Sequence, residues 1–468
     1  MIVSTDPRDM LRPDVVEVRA RGNEFHGLQV SDWTGETPTT HPQRQARIGT
    51  VLRMQGRELN SGDVTVPAYF SGNTIENVGL GDGQSPHPVD LGLRTHWHRC
   101  LAFGSYWPEI ETSAGGYNFT RLKAALQAAK ARGCKTLWNI AYTPTFYGSD
   151  INAHRSSGQA VSGGWASAPS DLQATMQADP RDNSAVLRNF CTAAMTEIGD
   201  LLDVVVFWNE PNFRRYSGSG APYGNWFDTS DEGVLRDLVT VRTDVSGNNQ
   251  RYAQFVRLQA CAYHTIKALR PSIVFCGPDF FGEASSQSSV GGKQAGRTCF
   301  GQWLADGGAA YCDAYSWHSY TDLYQLTGIA GVDWRLSDML RGLDDERASR
   351  GAPAKPWYCT EVGHEELGTL ALQDQRMWAL RNHLEHASQG WQSIIAYAWD
   401  SLSPATYQMS WYLRNSAGSH GLTAGVQPIA LFWDESAGLT AGRTISAGAV
   451  RLVDGRWCGR IDGVPYVV

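Results

Sequence analysis

The sequence predicts a (β/α)8 TIM barrel, and three observations carry that prediction. Strand-like and helix-like segments alternate from about residue 24 to about 400. Several of the strand-like segments, Val204 to Phe207 among them, are continuous apolar runs, the pattern of parallel strands buried on both faces. Residues of catalytic type close several different strands, as barrels arrange them and as a doubly wound open sheet does not.

The elements follow in order. Residues 1–23 read as an N-terminal β segment that packs on the barrel or its tail, through the run Val15-Val16-Glu17-Val18. The barrel is expected over 24–400, with Phe25–Val30 as its first strand. Residues 34–90 are rich in Gly, Pro, Asn, Thr and Ser and lack a helical period, so they read as an insertion. Leu91–Trp97 reads as the second strand. Thr120–Arg132 reads as a helix with Leu122, Ala125, Leu126 and Ala129 on one face and Gly133 as its stop. Cys134–Ala141 is the third strand and runs into Thr143-Pro144, where proline ends the ladder.

Asp182–Leu202 carries the clearest helical period, with Leu187, Phe190, Cys191, Ala194 and Ile198 at three- and four-residue steps. It leads to the fourth strand, Val204–Trp208. Further strands are expected at Pro271–Gly277, Tyr311–Tyr320, Trp357–Thr360 and Ile394–Trp399, with helices at Gln250–Leu269, Trp334–Arg350 and Gln373–Gln389. Residues 401–468 turn rich in Gly, Ser, Thr and Pro, and Ala449–Val468 alternates like a hairpin around Asp454-Gly455, which predicts a small C-terminal β-rich subdomain.

Two glutamates stand out against this frame. Glu210 closes the fourth strand in Trp208-Asn209-Glu210-Pro211-Asn212, and Glu361 closes the seventh in Thr360-Glu361-Val362-Gly363. A glutamate at the end of a buried strand must be paired, hydrated or functional. Two such carboxylates are what cleavage of a glycosidic bond requires, one to protonate the leaving oxygen and one to attack the sugar.

These two motifs together resemble the clan A glycoside hydrolases, most closely family 39 and its unclassified bacterial relatives. The resemblance spans about residues 24 to 435. It extends to Trp107-Pro108-Glu109-Ile110-Glu111 with Gly116-Tyr117-Asn118-Phe119, to Thr143-Pro144, to His318-Ser319-Tyr320 and to Trp399. It implies a retaining O-glycosyl hydrolase with Glu210 as acid/base and Glu361 as nucleophile. By the same resemblance Arg94, with Arg99 close by in the chain, would hold the nucleophile ionised. Asn209 would bind the sugar 2-hydroxyl, His318 and Tyr320 would line the site, and Trp399 would floor the −1 subsite. The stretches 34–90, 148–170 and 213–248 have no counterpart in the family, and all lie where barrel loops shape a substrate site.

Composition narrows the partners. A formal net charge of −7 argues against nucleic acid, whose binders carry clustered basic surface. The 17 Trp and 18 Tyr suit stacking on sugar rings, and Trp107 and Trp208, along with Trp33, Trp138, Trp165, Trp226, Trp317 and Trp357, are candidates for the cleft. Long aromatic loops favour an oligo- or polysaccharide substrate. No metal or organic cofactor is expected: His364-Glu365 begins like a zinc-binding HExxH, but Gly368 stands where the second histidine belongs. The nine cysteines include no CxxC and read as buried apolar residues, with one bridge, Cys299 to Cys312, left open. The N-terminus lacks a charged n-region followed by an apolar h-region, and no apolar run is long enough for a membrane span. A cytoplasmic protein, or one exported by another route, is the expectation. The competing readings are a non-catalytic carbohydrate-binding barrel and a transglycosylase using the same glutamates.

Overall fold

The computed structural model describes residues 63–74, 86–101, 104–148, 168–212, 214–216, 222–224, 248–281, 295–320, 336–363, 371–399, 411–413, 424–451 and 457–467. Eight short parallel strands form its central sheet. They are β1 (Ser71–Thr74), β2 (Trp97–Cys100), β3 (Lys135–Ile140), β4 (Val204–Phe207), β5 (Val274–Cys276), β6 (Tyr315–His318), β7 (Trp357–Val362) and β8 (Ile394–Ala396). Each pairs in parallel with the next from β1 to β5 and from β6 to β8, and β8 pairs back to β1. A Cys276–Ala314 bridge and the pairing of Phe280–Phe281 with the end of β6 join the two halves of the ring. This is a (β/α)8 barrel.

Helices lie between the strands: α1 (Thr120–Ala131), α2 (Ala185–Glu197), α3 (Asn248–Leu269), α4 (Ala295–Ala305), α5 (Leu336–Ser349), α6 (Leu372–Ser388) and, after β8, α7 (Pro428–Thr440). Helix α1 buries the four residues its period selects, Leu122, Ala125, Leu126 and Ala129, and Gly133 follows it at φ 77°. Helix α2 starts at Ser184, whose hydroxyl accepts the Leu187 N–H, and it buries Leu187, Phe190, Cys191, Ala194 and Met195.

The strands' two-residue period sorts the interior into layers. Trp97, Leu137, Val204, Val206, Cys276, Ala314, Tyr358 and Ile395 form one buried apolar cluster inside the ring. Two residues further along the same strands the inward positions turn polar, from Trp97 to Arg99, from Leu137 to Asn139 and from Tyr358 to Thr360, all buried. The intervening outward residues, such as Cys100, Trp138, Val205, Phe207, Trp317 and Cys359, join the large cluster under the helices. The barrel thus has an apolar floor and a polar layer at the C-terminal ends of its strands.

Two strand assignments need correction. The ring position given to Phe25–Val30 is held by Ser71–Thr74, inside the stretch read as an insertion. Ser-Gly-Asn-Thr offers no apolar run, so propensity misses it. Its place depends instead on Gly72, opposite Trp97, where a Cβ would stand 2.3 Å from the Trp97 Cβ. The second strand begins at Trp97 rather than ending there, because Pro88–Leu91 is a 3-10 turn capped by His87 and closed by Gly92 at φ 80°.

Behind the barrel, Asp63–Thr65 pairs with Thr444–Arg451, which continues through Trp457–Ile461 and Val464–Val467 as an antiparallel sheet. Cys299 and Cys312 are both buried free thiols. No helix among the described residues is long and apolar enough to cross a membrane. Phe25–Val30, the run at Val15–Val18, Trp33, Trp165, Trp226, His364 to Gly368, and the Asp454-Gly455 turn lie outside the described residues.

Gly72→Ala drives a methyl into the Trp97 backbone across the β1–β2 pair, which is backbone and cannot swing aside. The variant is expected to lose about 2 kcal/mol or more of unfolding free energy in denaturant melts, as overpacked cores do.

Candidate active site

The polar layer is organised by one cation. Arg99 on β2 is fully buried, and every arm of its guanidinium is engaged. Its Nε donates to Asn139 Oδ1 at 3.1 Å, and Nη2 donates to Asn209 Oδ1 and to Asp279 Oδ2, each at 2.9 Å. Its Nη1 donates to Glu361 Oε2. The other Glu361 oxygen accepts the Tyr320 hydroxyl. Burial, with the charges of Glu361 and Glu210 beside it, pushes the Tyr320 phenol well above its ordinary value, so it stays a donor.

Asp279, just past β5, is the second hub. It accepts Asn139 Nδ2 at 2.8 Å and Thr360 Oγ1 at 2.5 Å as well as Arg99, and His318 Nε2 lies 3.2 Å away. Burial alone would raise this carboxyl, but the charges of His318 and Arg99 outweigh it and hold Asp279 down to about 2. His318 is the converse case. Burial works against its proton, yet Glu361, Asp279 and Glu210 together raise it to about 10. It is therefore an imidazolium, with Nδ1 donating to Glu210 Oε1 at 2.7 Å.

Glu210 sits past β4, its N–H bonded to the Asp279 carbonyl at 2.9 Å. Burial raises its pKa, the charge of Glu361 adds to that, and His318 and Arg99 pull the other way without reversing it. Charge counting gives the same result. Arg99 and His318 balance Asp279 and Glu361, so a neutral Glu210 leaves the buried cluster without net charge. The backbone here is held in unusual states: Tyr142, Trp208 and Glu210 have φ of 69°, 69° and 44°, at the ends of the adjacent strands β3 and β4. Such left-handed conformations in non-glycine residues cost about 1 to 3 kcal/mol each and concentrate where side chains must be aimed.

Of the residues singled out in the sequence, the structure brings together Glu210, Glu361, Asn209, His318 and Tyr320. Arg94 lies elsewhere. It precedes β2, its side chain is 56% exposed, and it pairs with Asp434 on α7 at 2.9 Å. The later start of the second strand explains the exchange: with β2 at Trp97–Cys100, the inward arginine near Glu361 is Arg99. The tryptophans also move. Trp107 is fully buried, stacks on Phe190 at 4.9 Å and donates to Glu111 at 2.6 Å. Trp208 is buried between Tyr142 and Phe255. Trp399 is buried, donates to the Pro86 carbonyl at 2.8 Å and stacks on Tyr412. Trp138, Trp317 and Trp357 are buried too. These indoles serve the barrel core, where large flat apolar groups bury most area.

Among the described residues, tyrosines stand around the carboxylates. Tyr106 and Tyr142 lie with ring centroids 5.0 Å apart, and both feel the charges of Arg99 and Glu361. Tyr142 also hydrogen-bonds Asn209. Tyr397, two residues before Trp399, neighbours Tyr320 closely enough to raise its pKa. Sequence reasoning passed over Asp279, Asn139 and Thr360. A signal was present, since each is the polar residue at the C-terminal end of a strand or just past it.

Ligand-type atoms of Glu210, His318 and Glu361 fall within 4.8 Å of one another. The chemistry does not suit a cation, because an imidazolium has no lone pair to give and Arg99 already neutralises Glu361.

Arg99→Met leaves Glu361 and Asp279 buried without their shared cation. It is expected to cost about 3 to 5 kcal/mol in denaturant unfolding, whereas Arg94→Ala, which breaks an exposed pair, is expected to cost under about 1 kcal/mol.

No protein-family model matches the chain, and no curated protein sequence matches it. Solved structures do. A family 39 glycoside hydrolase from the gut symbiont Bacteroides cellulosilyticus superposes with a TM-score of 0.52 at 16% identity, covering 86% of this chain and 69% of that one. A GH39 enzyme from Xanthomonas axonopodis pv. citri gives a TM-score of 0.50 at 14% identity, covering 86% and 71%. At these identities the likeness is one of fold, and the barrel described above is the barrel these glycoside hydrolases share.

Proposed function

We propose that the chain is a retaining glycoside hydrolase that cleaves an oligo- or polysaccharide by double displacement. One observation carries the reading. A carboxylate oxygen of Glu210 and one of Glu361 lie within 4.8 Å of each other. That closeness of one oxygen from each favours the carboxyl spacing of retaining pairs, about 5 to 5.5 Å, over the about 6.5 to 9.5 Å of inverting pairs, which leaves room for a water. The barrel shared with two glycoside hydrolases supports the reading at the level of fold.

The roles follow from the surroundings. Glu361, facing the Arg99 guanidinium and the Tyr320 hydroxyl, is the nucleophile. Glu210, raised by burial, keeps the proton that the glycosidic oxygen needs. Its loss in the first step turns Glu210 into the base that activates water in the second. Asn209 has its amide oxygen engaged by Arg99 and also bonds Tyr142, and its Nδ2 is the donor for a sugar hydroxyl.

The deciding experiment is glycan release from a broad panel by wild type and by Glu361→Gln. Wild type is expected to release sugar with the β- or α-configuration of its substrate retained, and Glu361→Gln to lose at least about ten-thousand-fold in turnover. Binding by both proteins with release by neither would sink the hydrolase reading in favour of a carbohydrate-binding barrel. Transfer to an added acceptor sugar in place of hydrolysis would make the chain a transglycosylase.

Glu210→Gln is expected to lose about a hundred- to ten-thousand-fold on substrates with poor leaving groups. In wild type, kcat/KM is expected to fall on the alkaline side as Glu210 gives up its proton. Because its folded pKa is raised, that limb lies above the ordinary carboxyl value of 4.5. A limb at or below that value contradicts the assignment.

A further inference from the structure

We infer that Asp279 is a positioning residue that fixes His318 as an imidazolium and so keeps the buried cluster charge-balanced through both halves of the reaction. The second clause rests on the proposed function; the first rests on the buried contacts of His318 and the charges that face it.

The geometry is a continuous chain. Glu210 contacts His318 at 2.7 Å, His318 faces Asp279 at 3.2 Å, Asp279 takes Arg99 at 2.9 Å, and Arg99 reaches Glu361. The acid/base and the nucleophile are thus joined behind the cleft through three buried groups. His318 and Arg99 both point at one oxygen of Asp279, and their nitrogens stand 3.3 Å apart. Two cations at that distance persist only with an anion between them. Asp279 is that anion, fully buried and held by Thr360 and Asn139 as well.

The groups facing His318 come from every neighbouring strand. They are Glu210 after β4, Asp279 after β5, Arg99 on β2 and Glu361 on β7, with the Tyr320 ring 6.5 Å away on its own side. Of the three carboxyl groups only Asp279 keeps its charge throughout. In the resting state the anions are Asp279 and Glu361, against Arg99 and His318. In the first step a bond forms from Glu361 to the anomeric carbon, the glycosidic bond breaks, and the Glu210 proton goes to the leaving oxygen. Glu361 is then a neutral ester and Glu210 the carboxylate, so the anions are Asp279 and Glu210. In the second step Glu210 takes a proton from water, the water oxygen attacks the anomeric carbon, and the ester electrons return to Glu361. The cluster carries two charges of each sign at both stages, and His318 donates to Glu210 at the stage when Glu210 is charged.

Asp279→Asn keeps the shape and removes the charge. With histidine 15N-labelled, the wild-type His318 ring is expected to hold both protons through neutral pH and to titrate near 10. In Asp279→Asn it is expected to lose one about two pH units lower. Turnover of a glycoside with a poor leaving group should fall about a hundred-fold while KM changes little. A glycoside with a dinitrophenyl leaving group, which needs no acid, should lose far less. An unmoved His318 titration, with equal losses on both substrates, would make Asp279 a mere structural prop and overturn the inference. Should Asp279→Asn fail to fold, the wild-type titration decides: a His318 that gives up its proton at or below neutral pH overturns it. That arm needs no substrate, so an absence of glycosidase activity in wild type counts against the proposed function and leaves this test standing.

Discussion

A guanidinium buried with no access to water is the constraint on which this structure turns. An arginine cannot shed its charge, so Arg99 must be met by anions and acceptors at once. The barrel supplies them from four directions: Asn139 on β3, Asn209 after β4, Asp279 after β5 and Glu361 on β7. β3 lies beside β2 in any case, but the ends of β5 and β7 face Arg99 only when the sheet closes on itself. The fold and the candidate site are therefore one problem, since the ring that forms the core also makes the only setting in which this charge is tolerable.

The layering explains how stability and reactivity share one small volume. The apolar level around Trp97, Leu137, Val204, Tyr358 and Ile395 needs no polar partner and packs as a core. One pleat further on, charges are held in low dielectric, where hydrogen bonds and ion pairs act strongly and each missing partner is costly. The backbone at Tyr142, Trp208 and Glu210 adds strain at that same level, between the apolar floor and the loops. A carboxyl that burial biases toward its proton and one paired with a guanidinium then stand side by side, separated in character by what each touches. Glu210 meets burial and His318; Glu361 meets Arg99 and Tyr320.

Much of this was legible in the sequence, for identifiable reasons. Val204–Phe207 and the run around Tyr358 declare themselves by composition, and α1 and α2 by their period, so the barrel and the places of Glu210 and Glu361 follow. Ser71–Thr74 does not declare itself, because a polar tetrapeptide becomes a strand only between β8 and β2. The arginine was misplaced for a related reason: Gly92 and the turn before it delay β2, and a shift along a strand changes which arginine faces in. Residue type marks Trp107 as a candidate for the cleft and the resemblance adds Trp399, but sequence does not show that both indoles are buried. Asp279 lies in Gly-Pro-Asp-Phe, which looks like a turn until β5 and β6 are seen to hold it beneath His318.

In the proposed reaction Glu361 attacks while Glu210 gives the proton. The most direct test is to trap the attack. Activated 2-deoxy-2-fluoro glycosides of several sugars would be incubated with the protein, followed by peptide mass spectrometry. A covalent fluoroglycosyl adduct is expected on the peptide carrying Glu361, at Glu361 itself, and none in Glu361→Gln. An adduct on any other carboxylate, Glu210 included, would contradict it.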